Sequence, residues 1–450
     1  MSNIIKLKKG LDINLVGDAE KRLAELPMAA SYSVSPLDFE GVTPKLLVRV
    51  GDAVKAGSAL FFSKNNPQIV FTSPVSGTVA AVNRGEKRKI LNVVITPDAA
   101  QTYEEFNVPA ADAGEIVKTL LASGLWPMVI QRPYGVIANP ADRPKAIFVS
   151  GFDSAPLAPD MAFVMQERKA EMQKGFEVLG KLTGGKVHLS VEAGNEGVFS
   201  QIQGVELHTF EGPHPAGNVG VQIHHIDRIA KGEIVWTVNI QDVAIIGELF
   251  LTGKVNMTRI AAVTGSEVEA PCYVKYIMGA PVASLLGQCR VKPQKDGDSV
   301  RVICGNVLTG TKVPADGYTT FYMNQITVIP EGDKYELFGW MMPRTGKFSV
   351  SRTYFSWLCP RKKYALDTNL NGGERPFVVT GLFEKYLPMD IYPMYLLKAI
   401  LAGDIDKMEN LGIYEVIGED LALCEFVDPS KTDIQEIVSK GINLMIKELN

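Results

Sequence analysis

The sequence holds no apolar run approaching the roughly 18 residues that a membrane-spanning helix needs. The best candidate, Tyr395–Leu401, is interrupted by Lys398 and closed off at Gly403. The first ten residues carry Lys6, Lys8 and Lys9 with no apolar stretch behind them, which is not the form of a secretory leader. A basic excess is also missing. Lys and Arg number 46 against 50 Asp and Glu, a net charge of −4. With no surplus cation to neutralise phosphates, nucleic acid is not expected as a partner. Cysteine is scarce. The five stand at 272, 289, 304, 359 and 424, and no two form a Cys-x-x-Cys. An odd, scattered set fits reduced thiols and leaves no zinc ribbon or iron–sulfur cluster to build. A cytoplasmic chain, docked at most on a membrane surface, is the expectation.

Nucleotide and nucleophile signatures are lacking too. There is no Gly-x-Gly-x-x-Gly cradle and no Gly-x-Ser-x-Gly elbow. Gly180–Val187 comes near a P-loop, but Val187 stands where a Mg²⁺-binding hydroxyl is required. The local order is helix, loop, strand, so no helix N-terminus would face phosphates. A Gly-rich turn is the better reading.

What is present begins with Val50-Gly-Asp-Ala-Val-Lys-Ala-Gly57 and Ser73-Pro-Val-Ser-Gly-Thr-Val79. This two-half pattern, with tight turns between short strands, resembles a biotinyl/lipoyl-like β-barrel. Carrier proteins of that type present a modified lysine at the hairpin between the halves. Here the tip falls near Asn66-Pro67, and the nearest lysine, Lys64, sits early in the hairpin. The scaffold is expected without the swinging arm.

The length suits about three domains. Residues 1–35 read as a leader in which Ile5–Lys8 alternates like a strand and Asp18–Leu26 forms one or two helical turns. The barrel is expected over 36–98. Residues 99–254 alternate helices (Asp112–Ser123, Asp160–Leu182) with strands (Lys145–Ser150, Val187–Val191, Gly204–His208), which implies a parallel sheet and a Rossmann-like domain. Residues 255–335 read as a small α+β module. The C-terminal region, 336–450, is expected to be largely helical. It holds a helix from an Asp390 N-cap to Ala402, and a last helix opened by a Thr432–Gln435 capping box. The stripe Ile434, Val438, Ile442, Met445, Leu449 should face the chain's own core.

Four of the five histidines fall within 208–225, around Gly212-Pro-His-Pro-Ala-Gly-Asn218 and His224-His225. Their spacing suits a Gly/Pro-stiffened surface loop shaping a cleft or interface better than a metal site. Leu421–Lys431 reads as a helix end with a buried Cys424.

Taken in order, Ile5–Asp12, Ser73–Val79, Ala146–Ser150, Phe210–Gly217, Phe338-Gly-Trp340, Lys347–Thr353, Pro388–Ile391 and Leu421–Cys424 resemble the A subunits of Na⁺-translocating NADH:quinone reductases over nearly the whole chain. Similarity extends to the C subunit of the Rnf complex and to the flavin-binding subunit of respiratory Complex I. The resemblance implies a multidomain α/β and α+β chain: biotinyl/lipoyl-like barrel, Rossmann-like domain, ubiquitin-like β-grasp (SLBB) domain and helical C-terminal region. It implies a peripheral subunit on the inner face of the bacterial cytoplasmic membrane, docked on the membrane-embedded B subunit. The complex passes electrons from NADH through FAD, FMN, riboflavin and a 2Fe-2S cluster to ubiquinone or menaquinone and exports Na⁺.

No cofactor and no metal is expected on this chain itself. Leu121–Pro127 offers one glycine where the flavin-binding relatives carry a Gly-rich loop, and Asp428 stands where a Cys is the family expectation. No catalytic residue is assigned, and the chain alone is not expected to oxidise NADH. If it touches quinone, the candidates are His214, Gly217, Asn218, His224 and His225, since imidazole can hydrogen-bond a quinone carbonyl or pass a proton. The alternatives are a carrier protein modified at Lys64 and a stand-alone ligand-binding β-grasp module.

Overall fold

The computed structural model describes residues 4–109, 112–294, 299–332, 336–339, 341–342 and 344–449. The expected boundary at 335 and Trp340 lie outside the described residues, as does the side chain of Leu449.

The N-terminal unit is built of two small antiparallel sheets. One holds Tyr32–Val34, Ile90–Pro97, Gly77–Arg84 and Ala53–Val54; the other holds Pro44–Leu46, Ala59–Ser63 and Val70–Thr72. Alternating positions of these strands send Phe61, Val79, Val93 and Ile95 into a common core. Phe61 stacks on Phe71 at 4.7 Å between ring centres. Lys64 is exposed and opens the turn between Ala59–Ser63 and Val70–Thr72.

A seven-stranded sheet forms the middle of the molecule. In spatial order it runs Ile4–Lys6, Glu206–Glu211, Val187–Glu192, Ala146–Ser150, Val235–Val238, Val129–Arg132, Val136–Ile137. The first five are mutually parallel, and Val129–Arg132 runs antiparallel to both of its neighbours. The two central parallel strands, Ala146–Ser150 and Val235–Val238, are apolar nearly throughout and buried, while the outer ones carry more polar residues. The helices Lys169–Leu182 and Ile240–Thr252 cross in contact at two glycines. A Cβ on Gly175 would lie 2.0 Å from the Val243 carbonyl oxygen, and one on Gly247 1.8 Å from that of Glu171. Gly185, from the P-loop-like stretch, is pressed in the same way on the Lys145 carbonyl, so its lack of a side chain serves packing.

A six-stranded sheet follows, in the order Thr311–Val313, Val300–Cys304, Gln325–Pro330, Thr258–Thr264, Cys272–Ile277, Glu20–Glu25. Its edge strand is a correction. Asp18–Leu26 was expected to be helical, yet Glu20–Glu25 is a strand lying parallel to Cys272–Ile277. Its side chains are mostly exposed, as befits an edge, so no alternating pattern marks it. The leader is thereby stitched into two different sheets.

Other expectations shift in detail. The helix 160–182 is two helices, Met161–Met165 and Lys169–Leu182. The chain leaves helical geometry at Arg168, whose guanidinium donates to Glu248 at 2.6 Å on the neighbouring helix. Asp390 is not an N-cap. The helix starts at Pro393, whose fixed φ suits a first turn, and ends on left-handed Gly403. The Thr432–Gln435 capping box does not form; the Gln435 amide instead donates to Glu425 at 3.1 Å and to the Leu308 carbonyl. The C-terminal region is not largely helical. Among the described residues of 336–392 only the 3-10 turns Phe355–Leu358 and Phe383–Lys385 occur. Four prolines and five glycines in that stretch disfavour longer helices. Helices do dominate from 393 onward, and Ile434, Val438, Ile442 and Met445 of the last one are buried in the chain's own core. Cys424 is buried in the short helix Ala422–Val427. Asp428 caps its C-terminal end and accepts the main-chain N–H groups of Ser430 and Thr432 at 3.1 and 3.0 Å.

No helix among the described residues is long and apolar enough to cross a membrane.

Candidate functional site

The His-rich segment is not the surface loop expected. Asn218 ends the loop, and Val219–Ile226 is a helix. Gly212–Asn218 is wedged between the leader and the body. The main-chain N–H of His214 donates to Asp12 at 2.9 Å, and the His214 carbonyl accepts from Leu11 at 2.8 Å. The His214 ring is buried against the Ser154 hydroxyl at 3.0 Å, and burial pushes its pKa down to about 4. Gly217 lies so close to Ser154 that a Cβ would fall 2.4 Å from its main-chain nitrogen.

The two following histidines part company. His224 is buried. The Asp390 N–H donates to its Nε2 at 2.9 Å, so the ring proton sits on Nδ1 and is donated to Glu415 at 2.6 Å. The ring thus bolts the Val219–Ile226 helix to the C-terminal region. His225 is exposed, and its Nδ1 donates to the carbonyl of Val221 one turn back. The five candidates therefore do not form one site. Gly217 and Asn218 line a large cleft; His214, His224 and His225 do not.

That cleft has a volume of about 970 Å³. It opens where the ends of the parallel strands meet the barrel, the six-stranded sheet and the C-terminal region, beyond the carboxyl ends of the strands, as ligand sites in such sheets do. Sequence reading missed its charged groups. Arg132 reaches it from the end of the antiparallel strand Val129–Arg132 and is bound to Asp420 at 2.6 Å, with Glu419 at 3.8 Å. Glu419 faces the cleft with 44% of its side chain accessible. The enclosing walls and the adjacent Asp420 carboxylate push its pKa up, against the pull of Arg132. Burial also raises that of Asp153, in the loop after Ala146–Ser150. Two carboxyls that hold protons to unusually high pH, beside a fixed cation, suit proton exchange with a polar ligand. Nothing local marks these residues, since Arg132 and Asp420 are 288 positions apart.

The stretch Leu121–Pro127 is closed over by the barrel. Gly124 has φ +72°, and a Cβ there would meet the Thr72 side chain at 2.4 Å; the Thr72 hydroxyl donates to the Ser123 carbonyl at 3.1 Å. Outside the cleft, His188, Glu206 and His208 bring potential metal-ligand atoms within 4.8 Å of one another.

Three family models match in succession: the NqrA N-terminal barrel-sandwich hybrid domain over residues 5–98, the NqrA second alpha/beta domain over 111–255 and the NQRA C-terminal (SLBB) domain over 260–315. The Na⁺-translocating NADH-quinone reductase A subunit of Neisseria meningitidis serogroup A is 39% identical over 99% of this chain and 100% of its own length. The chain belongs to this A-subunit family. The Yersinia pestis bv. Antiqua member is 38% identical over 95% of this chain and 96% of its own. Membership makes the chain one subunit of an oxidoreductase assembly, of mixed α/β build with barrel-sandwich and SLBB domains. Among solved structures, the NAD⁺-reducing [NiFe]-hydrogenase in its H₂-reduced state aligns with a TM-score of 0.41 at 12% identity, covering 76% of this chain and 62% of that one.

Proposed function

We propose that the chain is the peripheral subunit that docks on the membrane part of the sodium-pumping reductase, the membrane-embedded B subunit foremost, at the inner face of the cytoplasmic membrane. The observation that carries this reading is the segment 337–363. Leu337, Phe338, Met341, Met342, Trp357 and Leu358 each expose about half or more of their surface. The same stretch contains six Lys and Arg and no Asp or Glu. Exposed apolar area of this kind marks an interaction surface, and its cationic setting suits a partner at an anionic membrane face. The rest of the chain supplies the barrel, a Rossmann-like middle domain, the SLBB domain and the helices from 393 onward. The electron carriers FAD, FMN, riboflavin and 2Fe-2S belong to the rest of the assembly; none is assigned to this chain.

The cleft supports a second part of the reading, that the quinone headgroup binds there. Arg132 can donate to a quinone carbonyl, and Asn218 is on the same wall. Electrons would arrive from the assembly's flavins, and Glu419 is placed to give up a proton to a reduced quinone oxygen.

Two experiments on the assembled complex test the pair. Trp357→Glu with Leu358→Glu should abolish co-purification with the membrane subunits while leaving the far-UV spectrum of the chain unchanged. Retained co-purification with Na⁺-stimulated activity defeats the docking reading. Asn218→Ala and Glu419→Gln should raise the KM for quinone and spare NADH oxidation by an artificial acceptor; an unchanged KM removes quinone from the cleft.

A further inference from the structure

His188 and Glu206 are paired across the adjacent parallel strands Val187–Glu192 and Glu206–Glu211, and His208 lies two positions after Glu206. A two-residue step returns to the same face of a sheet, so all three side chains project together. His188 Nδ1 is 2.9 Å from His208 Nε2 and 3.5 Å from the nearer Glu206 oxygen. The His188 ring is clamped on its other side by the ring of Phe148, 4.6 Å away and nearly parallel. These groups sit near the amino ends of their strands, whereas the cleft lies beyond the carboxyl ends. The cluster is separate from the cleft.

We infer that His188, Glu206 and His208 form a binding site for a divalent transition metal, of the zinc, cobalt or nickel class. Two imidazole nitrogens and one carboxylate oxygen are a familiar donor set for such ions, which leaves a fourth position for water. Mg²⁺, Ca²⁺ and Na⁺ prefer all-oxygen ligands and are not expected there. The hydrogen bond between the two ring nitrogens means that at least one of them already presents a lone pair. In the metal-free arrangement the two rings share a proton between Nδ1 and Nε2. Binding moves that proton to the outer nitrogen of the ring that carries it, so no net proton need be released by the pair.

Charge around the cluster is mixed. Lys186 engages one Glu206 oxygen and leaves the second turned to His188, and Asp227 contributes negative charge from the end of the Val219–Ile226 helix. His188 is buried, while Glu206 and His208 are half-buried, so the site is backed by the sheet and open to water on one side. Because the ligands come from two strands, an occupied site would staple Val187–Glu192 to Glu206–Glu211.

The test is titration of the purified full chain with Co²⁺, followed by competition with Zn²⁺. One saturable Co²⁺ per chain with tetrahedral d–d absorption, displaced by Zn²⁺ and removed by EDTA, is expected, together with a higher Tm in Zn²⁺. His208→Ala and Glu206→Gln each remove a ligand and should weaken binding by at least the roughly 10–100-fold that loss of an outer-shell partner causes, and both should lose the Tm rise. His225→Ala and Cys359→Ser, which remove the exposed imidazole and the exposed thiol, should leave the affinity unchanged. Absence of saturable binding in the parent chain overturns the inference. So does binding that survives both His208→Ala and Glu206→Gln. His208 and Glu206 are half-buried, so these variants are expected to fold, and their circular dichroism verifies it.

Discussion

Arg132 donates to Asp420 at 2.6 Å with 2% and 0% of their side chains accessible, joining the Val129–Arg132 strand of the central sheet to the C-terminal region. Asp420 also accepts the main-chain N–H of Ile417 at 2.9 Å, so its carboxylate fixes the turn that carries Glu419 to the cleft. A buried charge that loses its partner is far more unfavourable than an exposed one. Arg132→Ala should destabilise the chain by about 3–5 kcal/mol. Asp420→Ala should fall in the same range, and the double variant should lose clearly less than the sum. Urea unfolding of the four proteins measures the coupling; strict additivity would show that the pair is not energetically joined.

Asp38, at the rim of the cleft, accepts the main-chain N–H of Phe321 at 2.9 Å. Burial pushes its carboxyl up to about 6 from an ordinary 3.8. Between those values the folded chain holds a proton that the unfolded chain has released. The site's contribution to stability therefore falls as pH rises through this window, and the penalty is complete above pH 6. Two units correspond to at most about 3 kcal/mol. Asp38→Asn should be more stable than the parent at pH 7.5, by up to that amount, and equal to it at pH 4. Thermal unfolding at the two pH values checks this; a gain that persists at pH 4 would place its origin elsewhere.

Thiol reactivity should be confined to one residue. Cys359 is exposed, while burial pushes Cys289 to about 12 and Cys304 to about 11 and raises Cys424 as well. A thiol that stays protonated and covered reacts slowly. A maleimide at pH 7 should add once to the native chain, and Cys359→Ser should abolish the addition. In denaturant all five cysteines should label. Intact mass reads all three results.

The helix crossing at Gly175 and Gly247 leaves no room for a methyl group against main-chain oxygens, which cannot move aside as a side chain can. Gly247→Ala should lose about 3 kcal/mol or fail to fold. Gly180→Ala, on the same helix as Gly175 but with open space around it, should be neutral or slightly stabilising. A Gly247→Ala protein with parental stability would mean that the helices can separate freely.

Features whose cause is local were legible in the sequence. The helix expected over Asp112–Ser123 is found at Ala113–Ala122, and the structure shows Asp112 capping it by accepting from Gly114 and Glu115. The apolar period of the last helix predicts which residues it buries. Features whose cause lies far along the chain were not. Glu20–Glu25 becomes a strand because Cys272–Ile277 offers it an edge, and nothing in its own residues says so. The cleft draws Arg132, Asp153 and Glu419 from three separate segments, each an ordinary polar residue in its own surroundings. The histidine cluster drew attention for its density, but His214 and His224 are held by Ser154, Glu415 and Asp390 in structural roles that spacing cannot express.

The double stitching of the leader has a temporal side. Ile4 pairs in register with Thr209, and Leu23 with Tyr273. The first 25 residues leave the ribosome long before either berth exists. At about 5–20 residues per second, synthesis needs roughly 10–40 s to complete the Glu206–Glu211 strand beside which Ile4–Lys6 lies. Until then a short strand waits unpaired while the barrel behind it is free to fold. Once Cys272–Ile277 has emerged, the same segment can close two sheet edges that would otherwise stay bare, which ties the maturation of the two larger sheets to residues made far earlier.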